Sequence, residues 1–203
     1  MVKQRSKNEQ KKQQMLDSAT KLFTEQGYAS TSMDHIAKDA DVSKQTVYSH
    51  FGSKEELFAA SIKRKCDAYN ILDYSKAEII DVRTTLNELA RRFFAMLMSK
   101  ETLAIYRICS YESRSYPELA ELFFKEGPEL VANEVAQHFV RFNKEGLLAV
   151  DNTYFAAQQF LHMLKGETWM RMEFNTAQKM SQQETEKYLS SCVELFIRGY
   201  AVN

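Results

Sequence analysis

The chain has 203 residues, of which 44% are hydrophobic and 27% are charged, so it suits one or two globular domains rather than a disordered chain. Only two prolines and six glycines occur, and no glycine-rich phosphate loop is present, which disfavours turn-rich all-β folds and nucleotide-binding loops. The formal net charge is zero, but residues 1–65 carry 12 basic and 8 acidic side chains, whereas residues 66–203 carry 15 and 19.

The chain begins with a polar, basic segment. Its first fifteen residues hold five basic side chains and one acidic side chain, namely Lys3, Arg5, Lys7, Lys11 and Lys12 against Glu9. This segment lacks the apolar stretch of a secretory signal, so a cytoplasmic location is expected. The basic end predicts that a polyanionic partner, if there is one, binds there. A solvated tail is the alternative.

The first two predicted helices lie before residue 41. Apolar residues recur on one face of the first helix, at Met15, Leu16, Ala19, Leu22 and Phe23. Gly27 is placed where a glycine ends a helix. The stretch Thr31–Asp34 has the form of a capping box with Asp in place of Glu, which predicts that Thr31 caps a short second helix.

A turn at Asp39–Val42 separates this helix from a short third helix. Ser43 is a good N-cap for the third helix, and Gly52 ends it. Its inward residues are predicted to be Val47, His50 or Phe51. The stretch Ser53–Glu56 is a capping box, which predicts a longer fourth helix from Lys54 to about Tyr74.

The remaining two-thirds of the chain reads as longer helices, giving an all-α fold of about nine helices. Pro117 and Pro128 each suit the first position of a helix. Gly146 closes one helix, and the next helix runs from about Asp151 to Arg171. The stretch Ser181–Glu184 is a further capping box before the last apolar stripe.

Two short helices joined by a tight turn predict a helix-turn-helix module, whose second helix enters the major groove of DNA. The outer face of that helix is polar, and Lys and Gln are suited to read guanine and adenine. Its members are Ser43, Lys44, Gln45, Thr46 and Ser49. Phosphate contacts are predicted for Thr31 and Lys54, which lie at helix starts, and for the Tyr48 hydroxyl.

Residues 12–60 resemble the DNA-binding domain of the TetR family of bacterial transcriptional regulators. The resemblance rests on Gly27-Tyr, Thr31-Ser-Met, Ile36-Ala, Val42-Ser-Lys-Gln-Thr-Val-Tyr and His50-Phe-Gly-Ser-Lys-Glu. Asp41 replaces the glycine that this family usually has in the turn. That position requires a left-handed backbone, which Asp tolerates better than most residues.

The resemblance implies roles for individual residues. The recognition helix would be Ser43–Phe51, and Lys44, Gln45 and Thr46 would face base edges. The positions that contact the DNA backbone or pack would be Thr31, Tyr48, His50 and Lys54. A structural hydrogen-bonding role is the alternative for His50. The implied domains are residues 1–54, which bind DNA, and residues 55–203, which bind an effector and dimerise.

The carboxy-terminal part resembles the effector domain of the AefR-like subgroup through the stretches Tyr106–Pro117 and Leu119–Pro128. The resemblance implies dimerisation through the last two helices, residues 153–172 and 183–200. Ordinary packing inside one chain is the alternative for their apolar stripes.

An apolar or aromatic effector is predicted from the many aromatic and methionine side chains of residues 93–174. The candidate ligand contacts are Phe94, Met98, Tyr106, Arg107, Tyr111, Phe124, Phe139, His162 and Trp169. For each of these residues, a place in the core or in an ion pair is the alternative.

No motif for catalysis or for a metal or other cofactor is present. None of the four histidines forms an HxxxH pair, and the three cysteines lie far apart, which indicates neither a disulfide framework nor a zinc site. We therefore expect no enzyme. Two hypotheses remain: a homodimeric, ligand-released repressor on a palindromic operator, and a DNA-binding or architectural factor that acts without a ligand or under a protein partner. Activation in place of repression also stays open.

Overall fold

The computed structural model describes residues 7–69, 71, 81–176 and 180–202. All regular structure in these ranges is helical, which confirms the predicted all-α fold. Lys3, Arg5 and the predicted end of the fourth helix near Tyr74 lie outside the described residues. Among the described helices, none is both long and apolar enough to cross a lipid bilayer.

The helices are, in chain order, α1 (Lys7–Ser30), α2 (Met33–Asp39), α3 (Lys44–Phe51), α4 (Lys54–Ala68), α5 (Val82–Leu97), α6 (Lys100–Glu112), α7 (Pro117–Phe124), α8 (Leu130–Lys144), α9 (Thr153–Glu173) and α10 (Gln182–Tyr200). A five-residue π-turn, Lys125–Glu129, joins α7 to α8 without a break. With α7, the π-turn and α8 counted as one, the described residues contain nine helical segments, in agreement with the predicted number of about nine.

The two prolines behave differently. Pro117 occupies the first position of α7, as predicted. Pro128 does not start a helix, which corrects the prediction, because it lies inside the π-turn. A π-turn shifts the hydrogen-bond register at the position where proline lacks an N–H, so the helical run passes through the proline.

The predicted helix-ending roles of Gly27 and Gly52 and the predicted turn conformation of Asp41 are confirmed. Gly27 interrupts α1 with φ 84° and ψ 171°, and Gly52 ends α3 with φ 67°. Asp41 adopts φ 51°, the left-handed backbone predicted for the turn position at which the TetR family usually has glycine.

Helix α9 contains a break that the sequence analysis did not predict. Gly166 has φ 52° and ψ −165°, a conformation that only glycine adopts readily. The Tyr188 hydroxyl of α10 donates a hydrogen bond to the Met163 carbonyl at 2.5 Å. This bond gives a partner to a carbonyl next to the interrupted ladder.

The chain packs as two compact units. The first comprises the residues up to Arg64 together with Ala104–Glu126, and the second comprises Lys65–Leu103 together with the residues from Gly127 onward. The predicted boundary between residues 54 and 55 concerns function and stays a prediction. Packing divides the chain along different lines, because a segment of α6 and α7 belongs to the first unit.

Each unit has its own core. In the first unit, Phe23, Tyr28 and Phe58 contact one another with ring centroids 5.1–5.7 Å apart. In the second unit, α5, α8, α9 and α10 enclose Phe139, whose ring stacks on that of Phe196 at 4.8 Å. Burial of these apolar faces explains why nearly every helix carries one apolar stripe.

Candidate DNA-binding surface

Local capping and the turn before it define where the recognition helix α3 begins. The Ser43 side chain accepts a hydrogen bond from the Thr46 N–H at 3.1 Å, which confirms Ser43 as the N-cap. The Val42 N–H donates to the Ala37 carbonyl at 3.0 Å, and this bond closes the turn after α2. The start of α3 is therefore held to the end of α2 through backbone contacts.

The inner face of α3 packs on α2. Val47 is fully buried and Phe51 nearly so, and they share a core with Ile36 and Ala37. His50 is half-buried beside Phe51, with ring centroids 6.1 Å apart. Because two apolar anchors fix the rotation of the helix, its opposite face is left to solvent.

That opposite face carries most of the predicted DNA-contacting residues. The exposed ones are Ser43, Lys44, Gln45, Tyr48 and Ser49, and Thr46 is half-buried. The Thr46 hydroxyl already has a hydrogen-bond partner within the protein, because it lies 2.8 Å from the Ser43 hydroxyl. The structure thus brings these six predicted residues together on one helix, and their contacts with DNA stay predictions.

Lys44 has a partner that the sequence analysis missed. Its Nζ lies 2.8 Å from the Asp34 Oδ1 of α2, and 5.9 Å from the centre of the Tyr48 ring. The hydrogen bond that the Lys44 ammonium donates to the Asp34 carboxylate raises the pKa of Lys44, so this side chain stays cationic. Asp34 lies at the second position of α2, and its partner comes from the next helix, so no spacing rule within one helix could have identified the pair.

Thr31 is placed differently from the other predicted residues. It does not cap α2, which corrects the capping-box prediction: Ser32 is the N-cap and accepts a hydrogen bond from the His35 N–H. Thr31 is 1% exposed, and its hydroxyl lies 2.8 Å from the Gly27 carbonyl. Its side chain thus faces the core, and the N-cap of α2 lies one residue later than predicted.

Lys54 begins α4 after Ser53, whose side chain accepts a hydrogen bond from the Glu56 N–H. Its Nζ lies 4.0 Å from the centre of the Tyr28 ring, close enough for a cation–π contact. Burial lowers the pKa of Lys54. The predicted phosphate contact remains a prediction, since the same ammonium already lies against an aromatic ring.

Tyr28 belongs to the Gly27-Tyr motif of the resemblance, but no structural role was predicted for it. Its side chain is 1% exposed, and its hydroxyl donates a hydrogen bond to Glu55 at 2.8 Å. The Glu55 carboxylate also accepts from its own backbone N–H, and these bonds lower its pKa. Tyr28 therefore ties the end of α1 to the start of α4.

The predicted effector contacts are divided between the two units. Tyr106, Arg107, Tyr111 and Phe124 belong to the first unit. Tyr111 and Phe124 are mostly exposed there, at 75% and 61%. Tyr106 is half-buried, and its ring meets Phe123 edge-on at 6.1 Å.

The other predicted effector contacts belong to the second unit, where they occupy three kinds of environment. Phe139 is completely buried in the core, whereas Phe94, Met98 and Trp169 pack against that core with part of their surface exposed. His162 is exposed, and its Nδ1 lies 2.8 Å from the Gln158 carbonyl. The structure does not bring the nine residues together within either unit.

The last two helices keep few apolar side chains on their outer surfaces. The apolar stripe predicted on α10 is divided: Leu189, Cys192 and Phe196 are buried in the core of the second unit, whereas Leu195 stays on the surface. The large apolar side chains that stay exposed are Phe155 on α9, at 60%, and Leu195 on α10, at 64%. Met170 follows the break in α9 and is 59% exposed.

The described histidines, cysteines and carboxylates form no group of three or more that could hold a metal ion. Cys66, Cys109 and Cys192 are buried, and none of them forms a disulfide bond. Burial raises the pKa of Cys109 to about 12, so this thiol stays protonated and unreactive near neutral pH.

Two family models match the chain. The model described as bacterial regulatory proteins, tetR family, matches residues 15–61. The model described as AefR-like transcriptional repressor, C-terminal domain, matches residues 84–202, more than half of the chain.

Among curated proteins, the regulator HbdR of Aromatoleum sp. (strain CIB) is 39% identical over 61 residues, which cover 30% of this chain and 27% of HbdR. The negative regulator of the biofilm operon icaADBC of Staphylococcus aureus, IcaR, is 39% identical over 59 residues, covering 29% of this chain and 32% of IcaR. These alignments span about a third or less of the length of the curated relatives.

Solved structures match over nearly the whole chain. A TetR-family regulator from Mesorhizobium loti has a TM-score of 0.80 and 30% identity, with 98% of this chain and 100% of that chain covered. A protein described as flavonoid-responsive regulator FrrA has a TM-score of 0.74 and 30% identity, with 95% and 98% covered.

Proposed function

The chain belongs to the TetR family of bacterial transcriptional regulators, with an AefR-like carboxy-terminal domain, and from this premise we propose that it is a homodimeric repressor released from a palindromic operator by a small apolar or aromatic effector. Membership of this family makes the chain a DNA-binding transcriptional regulator and not an enzyme. The proposed dimer, operator and effector go beyond this.

The surface of α3 is the observation that carries the proposal. Lys44, Gln45 and Ser49 are exposed on the face opposite Val47 and Phe51. Side chains that donate and accept hydrogen bonds are thus presented along one short helix, as reading of base edges in a major groove requires. The action on chromosomal DNA also agrees with the predicted cytoplasmic location.

The exposed apolar side chains on the last two helices support a homodimer. Phe155 and Leu195 lie on α9 and α10 with most of their surface accessible, although both helices bury an apolar stripe inside the protomer. A second copy would bury them, and would place two α3 helices for half-sites about 34–36 Å apart. The proposed interface is therefore the outer face of these helices.

Two comparisons support release by a small molecule and repression. FrrA, which is 30% identical over nearly its whole length, is described as flavonoid-responsive. IcaR is described as a negative regulator, although only about a third of it aligns. In the second unit, Phe94, Met98 and Trp169 are half-buried aromatic or thioether side chains suited to an apolar or aromatic effector.

The first experiment selects DNA fragments that the purified protein binds from sheared DNA of its source organism at near-physiological salt. We expect a few sites that share an inverted repeat. Unrelated fragments with a steep salt dependence would contradict the proposal and favour the architectural or partner-controlled alternative.

Variants then test the assignment of α3. Lys44→Ala or Gln45→Ala should weaken binding to the selected site about tenfold or more and relax the base preference. Lys54→Ala should weaken binding to all sequences and reduce the salt slope by about one, if its ammonium reaches a phosphate. Equal behaviour of the two classes would contradict the assignment of base readers.

The dimer is tested by sedimentation of Phe155→Glu and Leu195→Glu. A charge buried in an apolar interface is costly, so both variants should sediment as monomers and lose affinity for the selected site. Val140→Glu, at an exposed position of α8 outside the last two helices, is the matched control and should stay dimeric. Dimeric Phe155→Glu and Leu195→Glu proteins would place the interface elsewhere.

A further inference from the structure

A glutamate of α6 binds the backbone where α1 is interrupted. The Tyr28 N–H donates to the Glu112 Oε1 at 3.1 Å, and the Ala29 N–H donates to the Glu112 Oε2 at 3.0 Å. Both partners belong to the first unit, although they lie 84 and 83 residues apart in the chain. One carboxylate thus satisfies two successive backbone donors.

The break at Gly27 builds the receptor for this carboxylate. With φ 84°, Gly27 turns the chain so that the next two N–H groups converge on one acceptor, as in the anion-binding nests of other proteins. A Cβ at this position would lie 3.1 Å from the Glu112 Oε1, closer than an ordinary contact. Glycine therefore supplies both the backbone angle and the space that the carboxylate needs.

The bound segment is a junction between the helices that place α3. Thr31 hydrogen-bonds back to the Gly27 carbonyl just before α2 begins. The Tyr28 hydroxyl bonds Glu55 at the start of α4, and the Tyr28 ring meets Tyr116 edge-on at 5.6 Å. A shift of this segment would move the start of α2, on which Val47 and Phe51 of α3 are packed.

We propose that Glu112 is a positioning residue that holds the helix-turn-helix in its DNA-binding arrangement. This inference rests on the proposed function and deepens it, because Glu112 lies in the stretch that matches the AefR-like domain, whereas Tyr28 and Ala29 lie in the stretch that matches the DNA-binding domain. The two hydrogen bonds make DNA affinity depend on the position of α6. Displacement of α6 would release the segment without any change in the recognition helix itself.

The test compares Glu112→Ala and Glu112→Gln with the wild-type chain in two measurements. The first is amide hydrogen exchange of Tyr28 and Ala29, which should accelerate about tenfold or more in Glu112→Ala because two charge-assisted hydrogen bonds are lost. The second is affinity for the selected DNA site, which should fall about fivefold to tenfold. Glu112→Gln keeps one acceptor oxygen, so its exchange rates and its DNA affinity should lie between those of the wild type and those of Glu112→Ala. These values also test the inference if Glu112→Ala fails to fold.

Glu121→Gln is the matched control, because it removes the same charge from an exposed position on α7, in the first unit that also contains Glu112. It should match the wild type in both measurements. Unchanged exchange at Tyr28 and Ala29, or unchanged DNA affinity in folded Glu112 variants, would overturn the inference. A wild-type chain that selects no DNA site would instead refute the proposed function, and the exchange rates would still show whether Glu112 protects the two amides.

Discussion

The two units differ in whether the residues predicted to bear on function are exposed or buried. In the first unit, a small aromatic core of Phe23, Tyr28 and Phe58 supports polar side chains on the outside of α3. In the second unit, the aromatic side chains that suggested an effector site include Phe139, which lies at the centre of the core. Exposed polar residues and buried aromatic residues therefore differ in what they reveal.

A polar residue on the exposed face of a helix is what contact with water alone predicts, so the polar face of α3 points to DNA only through its place in a helix-turn-helix. For an aromatic residue at helical spacing, burial in the core is the commonest structural reason, so its presence by itself does not indicate a ligand. The contrast explains why α3 retains its assignment as a surface, whereas the predicted effector contacts separate into core, partly buried and exposed positions.

Phe139→Ala is the largest expected effect and tests the core side of this comparison. Because Phe139 is fully buried and stacks on Phe196, its loss should lower the free energy of unfolding by about 3–5 kcal/mol. Denaturant unfolding followed by the fluorescence of Trp169, the single tryptophan, measures this. Phe174→Ala, at a 73% exposed position, should change stability by less than about 0.5 kcal/mol. A stable Phe139→Ala protein would instead indicate that this ring lines a cavity.

His138 gives the second unit a pH dependence. Burial, with a smaller contribution from Arg141, lowers the pKa of His138 to about 4. Between about pH 6.5 and pH 4 the unfolded chain therefore binds a proton that the folded chain does not, so the free energy of unfolding falls as the pH falls, by about 3 kcal/mol in all.

Unfolding of His138→Leu in urea at several pH values checks this, because the variant should lose that part of the pH dependence. His162→Leu removes an exposed imidazole and should keep the wild-type profile. The same pH profile for His138→Leu and the wild type would show that other groups cause the dependence.

Gly166→Ala tests whether the break in α9 is built into the second unit. An alanine there would adopt an unfavourable positive φ, and its Cβ would lie 2.7 Å from the Tyr188 hydroxyl oxygen. We expect the free energy of unfolding to fall by about 1–3 kcal/mol. Gly146→Ala, with φ 66° but no neighbour within 4 Å of its Cβ, should cost less. If both variants lost the same free energy of unfolding, the Tyr188 side chain would be shown to move away from the new Cβ at no cost.

Asp34→Ala is the smallest expected effect and tests the exposed side of the comparison. In the free protein Asp34 holds Lys44 at 2.8 Å, and its charge opposes the approach of phosphate. Its removal should raise affinity for unrelated DNA about twofold to fivefold, in line with an exposed ion pair.

Fluorescence anisotropy with a selected and a scrambled duplex measures both affinities. Asp39→Ala, which frees the Lys21 partner on α1, is the control outside α3. Lower affinity for both duplexes in Asp34→Ala would show that Asp34 positions Lys44 for contact.

Much of the fold could be predicted because its signals are local. Ser43 and Ser181 act as N-caps, and Asp41 takes the left-handed backbone, since each effect spans only a few residues. The N-cap of α2 was predicted one residue too early, because Thr31 and Ser32 are both suitable capping residues and the pattern does not choose between them. The predicted helix start at Pro128 was wrong because a π-turn carries the helix through the proline without a distinct composition. The exposed members of α3 followed from its two apolar anchors.

The helical class, most helix ends and the polar face of α3 can be read from the sequence, because hydrophobic period and capping act within one or two turns of chain. The folded chain is needed to see that Lys44 pairs with Asp34 and that Glu112 binds the Tyr28 and Ala29 amides. It is also needed to see that Phe139 lies in a core while Phe155 remains exposed. These contacts join different helices, in some cases more than eighty residues apart in the chain. No periodicity within a single helix encodes which neighbour its side chains will meet.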